Sequence, residues 1–146
     1  MELRLEPILE NEDKTKPIYD SEDCQNLLAM WEDYYPKIGF HLPWIGYFVM
    51  QQDEIVGSCA FTGKPQNNSV EVSYWTFKQN EGKGISTWAC KALIDIAKAS
   101  NPNLTIIAKT APEENASTSI LKRNGFTYSG IVQDHEIGNA WQWVLE

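Results

Sequence analysis

Two rhythms of hydrophobic positions meet near the middle of the chain. From Val70 to Phe77, β-branched and aromatic residues predominate and polar ones are interspersed, as in a strand. From Ile85 the spacing changes. Ile85, Trp88, Ala89, Ala92, Leu93, Ile96 and Ala97 fall on one stripe of a helix with period 3.6. Between them lies Gln79-Asn80-Glu81-Gly82-Lys83-Gly84, a tight glycine turn. The helix stops at Ser100-Asn101-Pro102, and Leu104 to Ala108 is a short apolar run. Strand, helix and strand within about forty residues predict a parallel crossover.

The remaining elements follow from the same reading. Met1 to Ile8 alternates and predicts a first strand ending near Pro7. Asp20 or Ser21 caps a helix with Glu22 and Asp23 in its first turn and Leu27, Leu28, Trp31 and Tyr35 on one face. Tyr34 to Trp44, with two prolines and several aromatics, reads as a loop or broken helix. It either lines an acceptor pocket through Trp31, Tyr35 and Trp44 or forms a satellite core. Gly46 to Gln51 and Glu54 to Phe61 form a hairpin across Gln52-Asp53, followed by a loop from Gly63 to Asn68. Pro112 to Gly125 reads as a helix closed by its glycine. Phe126 to Gln133 and Ala140 to Leu145 are the last strands, with Trp141 and Trp143 on one side. Residues 1–146 thus read as a single α/β domain without repeat or linker.

Composition narrows the partners. A net charge of −8 argues against nucleic acid, which requires a basic face. It favours a cationic second substrate, and it means that an anion site needs local cations, for which Lys78, Lys83 and Lys91 around the glycine turn are candidates. No basic-then-apolar leader and no run near the ~18 residues of a membrane span is present. Cys24, Cys59 and Cys90 lack paired spacing and read as reduced thiols, so the expected setting is cytoplasmic with no membrane partner. His41 reads as a surface residue, and Asp134-His135-Glu136 as a solvated turn; no metal is expected.

The glycine turn has a physical use. The first N–H groups of a helix lack internal partners, the helix dipole places partial positive charge there, and glycines let a ligand approach the bare amides. Such a site suits phosphate. Neither a Walker A loop nor a dinucleotide fingerprint fits, since Thr87 stands where the latter needs its third glycine.

The order Q-x-x-G-x-G, carried by Gln79, Gly82 and Gly84 between strand and helix, resembles the acetyl-CoA loop of the GNAT N-acetyltransferase superfamily. Asn115 to Phe126 resembles that family's second signature, with Ser117, Leu121, Gly125 and Phe126 in register. Asn115 lies one residue late, because Glu114 occupies the asparagine position. The resemblance is to the branch that acetylates protein N-termini and small amines. It implies a mixed, mostly antiparallel sheet of about six to seven strands, helices on both faces and a central parallel β-α-β unit.

The resemblance also implies transfer of an acetyl group from acetyl-CoA, as co-substrate, to a primary amine by direct attack. Glu71 is then the candidate base and Ser117, Tyr128 or water the acid, since position 121, often tyrosine in the family, is Leu121. Backbone N–H groups at Trp75, Thr76 and Phe77 would receive the thioester oxygen. Gln79, Gly82, Lys83, Gly84, Ile85 and Ser86 would hold the pyrophosphate, and Asn115 the pantetheine arm. The alternatives are a non-catalytic acyl-CoA-binding module and a protein-interaction module on the same scaffold. Monomer and homodimer are both open.

Overall fold

The computed structural model describes residues 2–135 and 137–146. Seven strands form one sheet: β1 (Leu3–Pro7), β2 (Gly46–Gln51), β3 (Glu54–Phe61), β4 (Ser69–Thr76), β5 (Thr105–Thr110), β6 (Thr127–Asp134) and β7 (Gly138–Leu145). Three α-helices connect them: α1 (Glu22–Ile38), α2 (Ile85–Ser100) and α3 (Ala116–Arg123). The spatial order is β1-β2-β3-β4-β5-β7-β6, and every neighbouring pair is antiparallel except β4–β5. The mixed sheet, its parallel β4–α2–β5 unit and the order of elements agree with the sequence reading. Glu136, part of the expected solvated turn, lies outside the described residues.

Helices cover both faces, and alternation along β4 sorts its side chains between them. Val70, Val72 and Tyr74 face α2 and α3, with the Tyr74 hydroxyl donating to the Ser117 carbonyl at 3.1 Å. Glu71, Ser73 and Trp75 face the side of α1. That helix lies so close to β2 that a Cβ added at Gly46 would come within 2.5 Å of the Trp31 ring. All three cysteines are free and buried, and burial pushes their thiols up. Among the described residues no helix is long and apolar enough to cross a membrane, and no group of His, Cys, Asp and Glu could hold a metal ion.

The segment from Tyr34 departs from the expected loop or broken helix. Helix α1 runs through it to Ile38 with Pro36 inside, and Gly39 caps it by donating to the Tyr35 carbonyl at 2.7 Å. A proline this near the end removes a single hydrogen bond on an exposed face, so the helix continues. Trp31 and Tyr35 are consequently core residues, 3% and 4% exposed, and not acceptor contacts. Trp44 is half-buried and packs edge-on against Phe61. The Tyr35 hydroxyl donates to the Ile8 carbonyl at 2.6 Å and accepts from the Gly46 N–H at 3.1 Å, tying α1 to β2.

Tyr35→Phe would leave both backbone groups buried and unpaired. It should destabilise the protein by about 1–3 kcal/mol, read as a lowered midpoint in urea denaturation. An unchanged midpoint would remove this hydroxyl from the account of how α1 is held.

Candidate acyl-CoA groove and its flanking cavity

Strands β4 and β5 pair only from Ser69↔Thr105 to Glu71↔Ile107. Beyond Glu71 they part, β4 staying with β3 and β5 with β7. A groove of about 830 Å³ opens beside the parting on the face of α2 and α3. Tyr74, Trp75 and Thr76 form one wall and Ala116, Ser117, Ser119, Ile120 and Arg123 of α3 another. Asn80, Glu81, Gly82 and Gly84 of the turn lead into Ile85, Ser86 and Thr87, the first turn of α2.

The glycine turn is open to solvent. Gly82 and Gly84 both have φ of +78°, and a Cβ at either would meet nothing within 4 Å. Glycine is therefore used for its backbone conformation and for the bare surface it leaves, not to relieve crowding within the protein. Gly84 is the N-cap of α2 and makes no side-chain cap bond, so the helix's first amides are left to solvent or ligand. The Ser86 hydroxyl is hydrogen-bonded to that of Thr76, which fixes the start of α2 against the end of β4.

Hydrogen bonding along β4 decides which amides are available. The Phe77 N–H donates to the Val56 carbonyl at 3.0 Å, and the Thr62 N–H donates to the Glu71 carbonyl at 3.0 Å. Odd-numbered positions of β4 therefore point their backbone groups toward β3, and even-numbered positions point theirs toward β5. This corrects the expected donor set. Phe77 is spent on the ladder and its ring is 1% exposed. Trp75 borders the groove and is 40% exposed, and the N–H groups facing the parting belong to Tyr74 and Thr76.

The other expected residues divide. Ser117, Gly82, Gly84, Ile85 and Ser86 all line the groove. Gln79 and Lys83 are exposed and alternate with lining residues. Asn115 is outside the lining: it is the N-cap of α3, its side chain accepting from the Thr118 N–H at 3.1 Å. Glu114, in the family's asparagine position, is tied to Lys122 at 2.9 Å. Lys91 pairs with Asp95 at 2.7 Å. Tyr128 stands half-exposed against Trp141 and Trp143 on the last hairpin, outside the groove lining.

Of the groove residues that were not among the candidates, Arg123, Asn80 and Tyr74 bring chemistry of their own. Arg123 brings a cation from the last turn of α3. Asn80 is 7% exposed, and its Oδ1 has no partner among the described residues. Tyr74 is held neutral by burial, which raises its phenol well above the usual range. Its place in the Val70, Val72, Tyr74 alternation was the available signal.

Glu71 does not line the groove. It lies on the opposite face of β4, 3.1 Å from Lys109, whose ammonium is also 3.7 Å from Asp134. Burial works to lower the Lys109 pKa, but the Glu71 hydrogen bond and charge, with Asp134, outweigh it and raise the pKa. Glu71 lines a separate cavity of about 500 Å³, together with Lys37 and Ile38 from the end of α1, residues of the 62–69 loop, Val70 and Ile107.

A sheet split beside a glycine turn, with a helix N-terminus at the mouth, defines a class. The chain belongs to the GNAT acetyltransferase family, whose domain model matches residues 5–127. The ribosomal-protein-serine acetyltransferase of Escherichia coli K12 is 28% identical over 94 residues, 64% of this chain and 52% of that protein. An uncharacterized N-acetyltransferase, p20, of Bacillus licheniformis is 33% identical over 89 residues, 60% of this chain and 50% of that protein. The chain thus spans about half the length of these relatives. Among solved structures, the microcin C7 self-immunity acetyltransferase MccE, in complex with acetyl-CoA and AMP, shares the fold. Its TM-score is 0.65 at 20% identity, over 84% of this chain and 69% of that one.

Gly82→Glu and Gly84→Glu each place a carboxylate on the bare amides, at a strain of about 1–2 kcal/mol for a left-handed non-glycine residue. Both variants should remain folded by circular dichroism and lose measurable CoA binding. Normal CoA affinity in either would refute the loop assignment.

Proposed function

We propose that this chain transfers the acetyl group of acetyl-CoA to a primary amine, on a small molecule or a protein N-terminus, by direct attack within a ternary complex. The carrying observation is the groove itself. An open glycine turn and the N-terminus of α2 stand at one end, and the parted edge of β4 along its length. The family, the acetyl-CoA held by the MccE structure and the named activity of the E. coli relative support this reading.

Each part of the cosubstrate meets suitable chemistry. The pyrophosphate takes the amides from Gly82 to Ser86, with Lys83 and Arg123 supplying charge. The pantetheine amides complete the unpaired edge of β4. The thioester oxygen, which gains charge during attack, receives the fixed N–H donors of Tyr74 and Thr76.

The amine reaches the thioester from the Glu71 side of the parting. Its nitrogen attacks the carbonyl carbon, the C–N bond forms and the C–S bond breaks. Glu71 takes the proton released by the amine, directly or through water. Ser117, on the groove wall, relays a proton from water to the departing thiolate, so that its own hydroxyl is restored. An amine with a pKa near 10 is mostly protonated at neutral pH, so a carboxylate at the entry serves both to bind the ammonium and to deprotonate it.

Isothermal titration with acetyl-CoA, CoA and ATP, followed by an amine screen for thiol release, tests the reading. Both CoA species should bind far more tightly than ATP, and at least one amine should turn over. Glu71→Gln should lower kcat by about 10²-fold or more with acetyl-CoA affinity retained. Absence of binding to either CoA species would end the transferase reading, and an unchanged kcat would remove Glu71 from the mechanism.

A further inference from the structure

The cavity beside Glu71 carries charge of the opposite sign to the protein. Glu71 is the last residue of β4 paired to β5, so the cavity touches the apex of the split whose other face is the groove. Lys37 enters from the last turn of α1 and Lys64 from the loop after β3. Both lysines are exposed, and neither is in an ion pair among the described residues. With 20 acidic residues against 12 basic ones in the chain, two uncommitted lysines at one cavity are an uneven use of scarce positive charge.

The cavity is also rigidly built. Gln66 and Ser69 exchange both backbone hydrogen bonds, at 2.8 and 2.9 Å, across Asn67 and Asn68, which have φ of +52° and +60°. This is the geometry of a tight two-residue hairpin turn, for which asparagine is suited. The Thr105 N–H donates to the Asn68 carbonyl at 3.0 Å, anchoring the turn to β5. With the Thr62 N–H donating to the Glu71 carbonyl at the other end, the loop that presents Lys64 is held at both ends.

We propose that this cavity is the acceptor site and that the acceptor is a small anionic amine: a primary amine that also carries a carboxylate or a phosphate. The ammonium meets Glu71 at the apex of the split, and the anionic group meets Lys37 and Lys64 at the cavity mouth. Lys109, committed to Glu71 and Asp134, keeps Glu71 in place and leaves the outer lysines for the substrate. About 500 Å³ lies within the range of small-molecule sites. This assignment rests on the transferase reading and reverses the cationic acceptor that the net charge alone suggested.

The test is the rate of thiol release at saturating acetyl-CoA for acceptors matched in skeleton: serine against serinamide, O-phosphoethanolamine against ethanolamine, and spermidine as a polycation. The anionic member of at least one pair should be favoured in kcat/KM by about tenfold or more, although the serinamide amine is the more readily deprotonated. The two pairs separate carboxylate from phosphate. In the double variant Lys37→Glu, Lys64→Glu, the anionic preference should collapse through KM. Preference for neutral or cationic amines in both pairs, or a preference indifferent to charge reversal, overturns the proposal and leaves the transferase reading standing. Acetyl-CoA binding without turnover of any amine removes the transferase reading and this proposal with it.

Discussion

A sheet that parts between two parallel strands leaves backbone groups without partners inside the fold, and the rest of the structure is arranged around that fact. Buried N–H and C=O groups are almost always paired. Past Glu71 the even positions of β4 face no neighbouring strand. The structure holds the parting open from both sides: β3 keeps β4 through Thr76, and β7 keeps β5 through Thr110. Helix α3 closes the far wall, fixed to β4 by the bond from Tyr74 to the Ser117 carbonyl. A ligand with amides of its own would complete such an edge as a strand does. In the proposed function, the phosphates of the same ligand would then reach the glycine turn, because that turn directly follows β4.

Charge is organised locally, against the overall balance. The protein is strongly acidic, yet cations stand at both cavities: Arg123 lines the groove with Lys83 on the adjoining turn, and Lys37 and Lys64 line the flanking cavity with Lys109 paired to its Glu71. Screening limits the reach of exposed distant charge to about 10 Å or less under ordinary salt. Net charge therefore says little about which ligand enters a cavity. The same reasoning separates the two acids at the sites. Glu71 is positioned by Lys109, whereas Glu114 is occupied by Lys122 on the outside of α3.

Much of the architecture was legible in the sequence because alternation and helical spacing record which side of each element is buried. The strand, glycine turn and helix around Gly82 and Gly84 were legible for the further reason that only certain residues tolerate a φ of +78°. Contacts between elements were not legible. Arg123 comes to the groove because α3 packs beside β4, and no spacing along the chain announces that. Asn115 looked like a ligand contact and serves as a helix cap, a role equally suited to asparagine. Trp31 and Tyr35 looked available while Tyr34 to Trp44 was read as a loop or broken helix; one proline in an exposed last turn does not stop α1, and both rings are core. The direction of each β4 amide depended on pairing with β3, which removed Trp75 and Phe77, kept Thr76 and brought in Tyr74.

The most direct test of the account is a ¹⁵N–¹H spectrum of the assigned protein titrated with CoA. The account predicts large shifts of the Tyr74 and Thr76 amides together with those of Gly82, Lys83, Gly84, Ile85 and Ser86, while the Phe77 amide, bonded to Val56, moves little. Shifts centred on Lys37 and Lys64, or no shift in the β4 edge and the glycine turn, would contradict the claim that the parted sheet is the CoA site.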